Sequence, residues 1–567
     1  MLVKNPILKG FHPDPSILRV GEDYYIANST FEWYPGVRIY HSRNLADWEL
    51  AGMPLDRTAL LDMTGVNASD GIWAPCLSWS GGWFYLIFTV VHTSHQYAMF
   101  DTPNYVTRAR KIEGPWEEPV YLNSSGFDPS LFHDDDGRKW LVNMEWDYRG
   151  LAFGRAFPGI LLQEYDSEQK RLVGSPKKIF PGTARRLTEG PHLYKKDGWY
   201  YLVCAEGGTS WFHCVTVARS KKIGGPYEVH PGNPLLTSWE GTPDSDVYEK
   251  ELEERGLNGC LLQKAGHGSL CQGPGGRWYL AHLCSRPIPG TRSCVLGRET
   301  AIQEIVWKDG WPWLKGGGSL PAETYEVEDD PGSPDESSAA AVAAHLSGET
   351  AAAALEPGGS ICHYRFGQDR DLVLRDFQTL RRPPSSEDFS FEARPGYLRL
   401  RGRESLYSRF RQSILARRQT DFAFDARTSF EFSPESFQHM AGLVYRYNEE
   451  NQYACLVSFD EAAGERVVTA VAIRQGILRV LDTRPVGEGP YTLTLQVDGV
   501  RGRFGFLREG VWELLDGELD TEILSDDFTG GFTGAFVGIV AMDLRSQEKY
   551  ADFADFCYTG RPEGRGR

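Results

Sequence analysis

From Asp14 the chain reads DPSILRVGEDYYIANST: a small start, an alternating apolar run, a Gly-rich turn, then an aromatic-rich run that alternates again. Period-two alternation broken by a tight turn is the pattern of a β-hairpin, because successive side chains of a strand face opposite sides. The same order recurs in APCLSWSGGWFYLIFTV from Ala74, DPSLFHDDDGRKWLVNMEW from Asp128, EGPHLYKKDGWYYLVCAEG from Glu189 and, more loosely, HGSLCQGPGGRWYLAHLC from His267. These starts are spaced more widely than the roughly 40–50 residues of a bare four-stranded propeller blade, which leaves room for loops. An all-β pattern repeating five times predicts a five-bladed β-propeller over 1–325. Equivalent positions of successive blades surround one channel in such a fold. Asp14, Ala74, Asp128, Glu189 and His267 are therefore expected to ring one end of its axis.

Between 326 and 360 the pattern stops and the chain becomes rich in acid, Ser and Ala, the composition of a linker with room for one alanine helix. Alternation resumes in GYLRLRG, AGLVYRY, QYACLVSF, YTLTLQV and FTGAFVGIVA, predicting a β-sandwich of concanavalin-like or jelly-roll type over 361–560. The 567 residues thus divide into two large β domains, and aromatics at 13% with 61 Gly and 33 Pro suit many short strands joined by tight turns.

A formal charge of −17 opposes attraction to nucleic acid or to anionic lipid, which present negative surfaces themselves. The longest apolar run, WFYLIFTVV from Trp83, is too short to span a bilayer, and the N-terminal MLVKNPILKGF lacks the apolar core of a signal peptide, so a cytoplasmic protein is expected. Ten cysteines stand singly with no CxxC, the usage of free thiols in a reducing compartment. There is no P-loop, strand-linked GxGxxG, HExxH or GxSxG.

An Asp before Pro commonly starts a turn and caps nearby N–H groups, so either Asp-Pro alone reads as structural. Three acids at five matching starts read differently, because gathering carboxylates in one desolvated place costs mutual repulsion. Two acids facing across a pocket are the minimum equipment for cleaving a glycosidic bond, and a third can hold the donor protonated. Phe31, Trp33 and Trp73 offer faces on which a sugar ring stacks, or plain core packing. A carbohydrate-binding propeller without turnover is the reading from a different class.

The motifs NPILKGFHPDPSI, STFEWYPGVRIYHS, DGIWAPCLSW, DTPNYVTRA, FDPSLFHDDDGRKWLVN, TEGPHLYKKDGWYYL, KAGHGSL and LGRETAIQ together resemble glycoside hydrolase family 43 in its β-xylosidase branch. The likeness extends through PGYLRLRGRESL and FTGAFVGI in the C-terminal half. It implies an inverting exo-hydrolase that releases xylose from the non-reducing ends of xylo-oligosaccharides, with α-L-arabinofuranosidase activity as a side or main activity. Carried over, Asp14 is the general base, Asp128 the pKa modulator and orienter, and Glu189 the general acid. Inversion requires the acid and base carboxyls to stand about 6.5–9.5 Å apart. The resemblance also assigns substrate contacts to Phe31, Trp73 and Arg292, with Arg298 competing for the arginine's role. Phe532, with Phe528 as runner-up, is expected to reach from a sandwich loop over the pocket and close it. No cofactor is required. At His267 the resemblance leaves room for Ca2+ beside water, and equally for a neutral imidazole satisfied by carbonyls. A homo-oligomer, dimer or tetramer, is expected. The acidic stretch around 243–258 departs from the family pattern and is expected to form a short rim helix.

Overall fold

Five antiparallel sheets of the computed structural model, which describes residues 1–94, 97–239, 260–327 and 360–561, follow the five repeats. Blade one runs Ser16–Val20, Asp23–Asn28, Arg38–Ser42 and Glu49–Gly52. The innermost strands of the other four are Gly71–Ser80, Ser130–His133, Glu189–Lys196 and Gln263–Gln272, and the five pack side by side around one axis. Small hydroxyls knit neighbouring blades where the inner strands converge. Ser16 Oγ accepts from Leu77 N–H at 3.0 Å, Ser130 Oγ donates to Pro191 O at 2.6 Å, and Ser269 Oγ accepts from Ile17 N–H at 2.9 Å. The ring is closed by its own chain ends, as Leu2–Lys4 pairs antiparallel with Thr324–Glu326.

In the C-terminal half two sheets of nine and eight strands stack, the eighth strand of the second being lent by blade one. Inward-facing Phe424, Phe430, Tyr445, Leu493, Phe553 and Phe556 fill the space between them. The eight-stranded sheet does not end within the sandwich: its edge strand Phe377–Leu380 pairs with Trp33–Tyr34, a two-residue strand from blade one. Trp33, fully buried, stacks on Phe536 of the sandwich with ring centroids 3.7 Å apart and planes at 12°. A second hydrophobic core therefore belongs to neither domain alone, combining Phe11, Phe31 and Trp73 with Ile414, Val444 and Val540.

Most of the expected linker and the whole acidic stretch around 243–258 lie outside the described residues. All ten cysteines are free, and among the described residues no helix is long and apolar enough to cross a membrane.

Candidate active site

Each inner strand, or the approach to it, carries a residue in the left-handed backbone region at the matching position: Asp14 (φ 51°), Ala74 (φ 30°), Asp128 (φ 54°), Gly190 (φ 54°) and His267 (φ 47°). Four of the five are not glycine, and such backbone costs of order 1–3 kcal/mol per residue unless its surroundings enforce it. The recurrence identifies the true repeat unit as the kinked residue followed by Pro or Gly. It corrects the sequence alignment by one residue in blade four, where Gly190 and not Glu189 is equivalent to Asp14 and Asp128. Gly190 suits the place doubly, since a Cβ there would lie 3.1 Å from the His267 ring. Glu189 stands one position earlier, in the place of Trp73 in blade two and Phe127 in blade three.

These kinks deliver Asp14, Asp128, Glu189 and His267 to the walls of one cavity of about 300 Å³. That volume is at the small end for small-molecule sites, suiting a short saccharide and not a long chain. Ala74 is not among its walls; the Trp73 ring takes its place. Phe31 and Phe532 complete an aromatic side, with Trp73 to Phe532 at 5.8 Å and Phe31 to Phe532 at 6.1 Å between ring centroids. Phe528 turns away onto the sandwich core and lies under the Arg474 guanidinium, so the Phe532 assignment, and not its runner-up, is the one that reaches the cavity.

Arg292 does not reach it. It sits exposed on a turn closed by Ile288 N–H to Ser293 O at 2.9 Å, and the chain must run on to the strand Arg298–Lys308 before a side chain meets the channel. Arg298, at the start of that strand, is the arginine in the cavity, with Nη1 3.8 Å from Asp14 Oδ1 and its guanidinium 4.8 Å from the Phe532 ring centre. Phe100, Phe127, Trp146 and Phe157 also line the cavity and were missed in the sequence. Phe127 alone carried a readable signal, since it precedes Asp128 as Trp73 precedes Ala74.

The electrostatics raise two of the acids together. Burial, aided by the Asp14 charge, raises Glu189 to about 8 against the pull of Arg298. Asp128 is also pushed well up by burial and by repulsion from Glu189 and Asp14, while the Gly190 N–H at 3.0 Å and Arg298 favour its charged form. Repulsion is mutual, so an ionised Asp128 raises Glu189 in turn and the two titrate as a pair. Asp14 is held by the Ser29 hydroxyl, which donates to Oδ2 at 2.6 Å, leaving Oδ1 facing His267 Nδ1 at 3.6 Å and Arg298. Burial lowers the His267 imidazole below its usual range, with the Asp14 charge opposing and Arg298 adding to the effect.

Among the described residues, the one trio of His, Cys, Asp or Glu close enough to share a metal is Cys294, Asp526 and Asp527. The buried Lys264 ammonium already meets both aspartates, at 3.1 and 2.7 Å.

Residues 3–312 match the model of glycosyl hydrolases family 43, and residues 369–559 match that of the β-xylosidase C-terminal concanavalin A-like domain. The chain is 46% identical to a xylosidase/arabinosidase 43B of Humicola insolens, covering 98% of this chain and 97% of that one. It is 44% identical to a β-xylosidase of Bacillus subtilis strain 168, over 98% and 99%. The crystal structure of a xylan β-1,4-xylosidase from Bacillus halodurans C-125 superposes with a TM-score of 0.86 at 46% identity, over 98% of this chain and 99% of that one.

Proposed function

Because the chain belongs to family 43 of the glycosyl hydrolases and is a glycoside hydrolase, we propose that it is an exo-acting β-1,4-xylosidase that releases xylose with inversion from the non-reducing ends of xylo-oligosaccharides. The observation that carries this reading is the convergence of Asp14, Asp128 and Glu189 on one small cavity roofed by Phe532. A binding propeller without turnover has no use for a carboxyl held protonated at neutral pH.

In this mechanism Glu189, protonated below about 8, gives its proton to the glycosidic oxygen as the bond to the anomeric carbon breaks. Asp14 takes a proton from a water that attacks that carbon from the opposite face. The proton on Asp14 then returns through solvent to Glu189, closing the cycle. Burial and the Asp14 charge keep Glu189 protonated, Asp128 orients it by accepting from the adjoining Gly190 N–H, and Arg298 bonds substrate hydroxyls while restraining Glu189 from rising further. Phe31, Trp73 and Phe532 pack against the sugar ring and end the cavity, which accounts for cleavage of one residue at a time. No step calls for a cofactor. A calcium ion beside His267 would have the imidazole and the Asp14 carboxylate, whose Oδ1 stands 3.6 Å from Nδ1, on the protein side and water elsewhere.

Proton NMR of xylobiose hydrolysis tests the whole reading: α-xylose is expected as the first product, and β-xylose first, or no cleavage, overturns it. Asp14→Asn and Glu189→Gln should each lose on the order of 10² or more in kcat, and turnover within about tenfold of wild type would displace either residue from its role. An α-L-arabinofuranosidase side activity is supported by the relative named a xylosidase/arabinosidase, and an arabinofuranosidase main activity is the alternative. Comparing the two aryl glycosides separates them.

A further inference from the structure

Ser69 lies just before the inner strand of blade two, 5% exposed and at φ 65°. A turn that needs only a positive φ is best served by glycine. A serine held there has another use, and its backbone and side chain are all engaged. Its N–H donates to Glu32 Oε2 at 3.0 Å, its carbonyl accepts from Trp73 Nε1–H at 2.8 Å, and its Oγ accepts from Phe532 N–H at 3.0 Å. One residue thus touches the aromatic wall from both domains. The sandwich loop comes this close because position 531 is glycine: a Cβ there would stand 2.8 Å from Ser69 Oγ and 2.6 Å from Tyr447 OH.

Behind Ser69, Glu32 is fully buried and follows Phe31 directly. Phe31 in turn exchanges both backbone hydrogen bonds with Ile72 at 3.0 Å. Arg381 of the sandwich donates its N–H to Glu32 O at 2.8 Å and pairs with Glu449 Oε1 at 2.8 Å. Burial raises the Glu32 carboxyl to about 7, the cost of fixing an acid at this junction.

We propose that Ser69 is a positioning residue that sets the spacing of Trp73 and Phe532 across the sugar cavity, through its carbonyl and its hydroxyl respectively. The proposal rests on the reading of that cavity as the xylose site. Ser69 itself touches no reacting atom; it acts through the two rings.

The test uses full-length variants and xylobiose. Ser69→Gly accommodates the positive φ, keeps the N–H and the carbonyl, and removes the hydroxymethyl side chain. KM should rise about fivefold, the worth of one hydrogen bond, with kcat and the alkaline limb of the pH profile within about twofold. In a Phe532→Ala background the same substitution should leave KM almost unmoved, because the ring it positions is gone. Ser69→Ala, lacking the same oxygen, should reproduce the result if the glycine variant is poorly folded. Unchanged KM in the single variants, an equal rise with and without Phe532, or a loss confined to kcat overturns the proposal. Wild-type protein that fails to cleave xylobiose would instead sink the functional reading.

Discussion

Arg298 sets the cavity's electrostatic balance, since it is the cation that pulls against the upward shift of both Glu189 and Asp128. Replacing it by glutamine removes a charge that favours the ionised carboxylate, so the folded-state pKa of Glu189 should climb from about 8. In Arg298→Gln the alkaline limb of kcat/KM should therefore move to higher pH while its plateau falls. A limb that stays put or moves down would show that Glu189 is not the group titrating there. At this scale the sequence was legible where chemistry coincided with a repeat. Asp14 and Asp128 stand in matching frames because the same kink serves both blades. Arg298 and Arg292 could not be separated by spacing, because the turn at Ile288–Ser293 decides which of them faces the channel. Phe100, Trp146 and Phe157 come from loops between strands, where no periodicity marks a side chain as facing the cavity.

Among elements, the short helix Asp526–Thr529 brings the Phe532 loop to the propeller. Ser525 caps it, accepting from Phe528 N–H at 3.2 Å, and its first two residues, Asp526 and Asp527, grip Lys264 at the head of blade five's inner strand. Lys264 is 3% exposed in its side chain and Asp526 6%, so the pair gains nothing from solvent. Removing one member of a buried ion pair strands the other charge, at about 3–5 kcal/mol. Lys264→Met should lower stability by that amount in urea unfolding. A loss below about 1 kcal/mol would mean that water reaches the site. Asp527 Oδ2 also accepts from Cys294 N–H at 2.9 Å, so the same substitution loosens the chain leading to Arg298. The hairpins themselves were legible, since alternation and tight turns are local. The alignment of blade four was one residue off because its acid was matched instead of its kink, and Trp33–Tyr34 was invisible as a sandwich strand because its partner Thr379–Leu380 is remote in sequence.

At the scale of the whole molecule, the two domains were legible as composition blocks, yet their boundary in sequence is not a boundary in packing. Phe11, Trp33 and Phe536 are fully buried only because propeller and sandwich face each other. Gly297 and Gly534 bring the two backbones into direct contact, each occupying the space a Cβ on the other side would need. A fragment of residues 1–327 would expose Trp33 and Phe11, lose the strand pairing at Trp33–Tyr34, and leave Ser69 without Phe532. Deleting a buried Trp or Phe alone costs about 3–5 kcal/mol, and the fragment loses the packing of several at once. It should therefore be recovered with an apolar surface that binds a hydrophobic dye, and with kcat/KM for xylobiose reduced by on the order of 10² or more, the loss expected when a positioning wall is removed. Supplying residues 360–561 as a separate chain should restore activity in a concentration-dependent way, because the interface is a packed core and not a tether. A fragment of 1–327 that folds without dye binding and cleaves xylobiose at the wild-type rate would show instead that the sandwich is an appendage, and that the cavity is complete without the ring it lends.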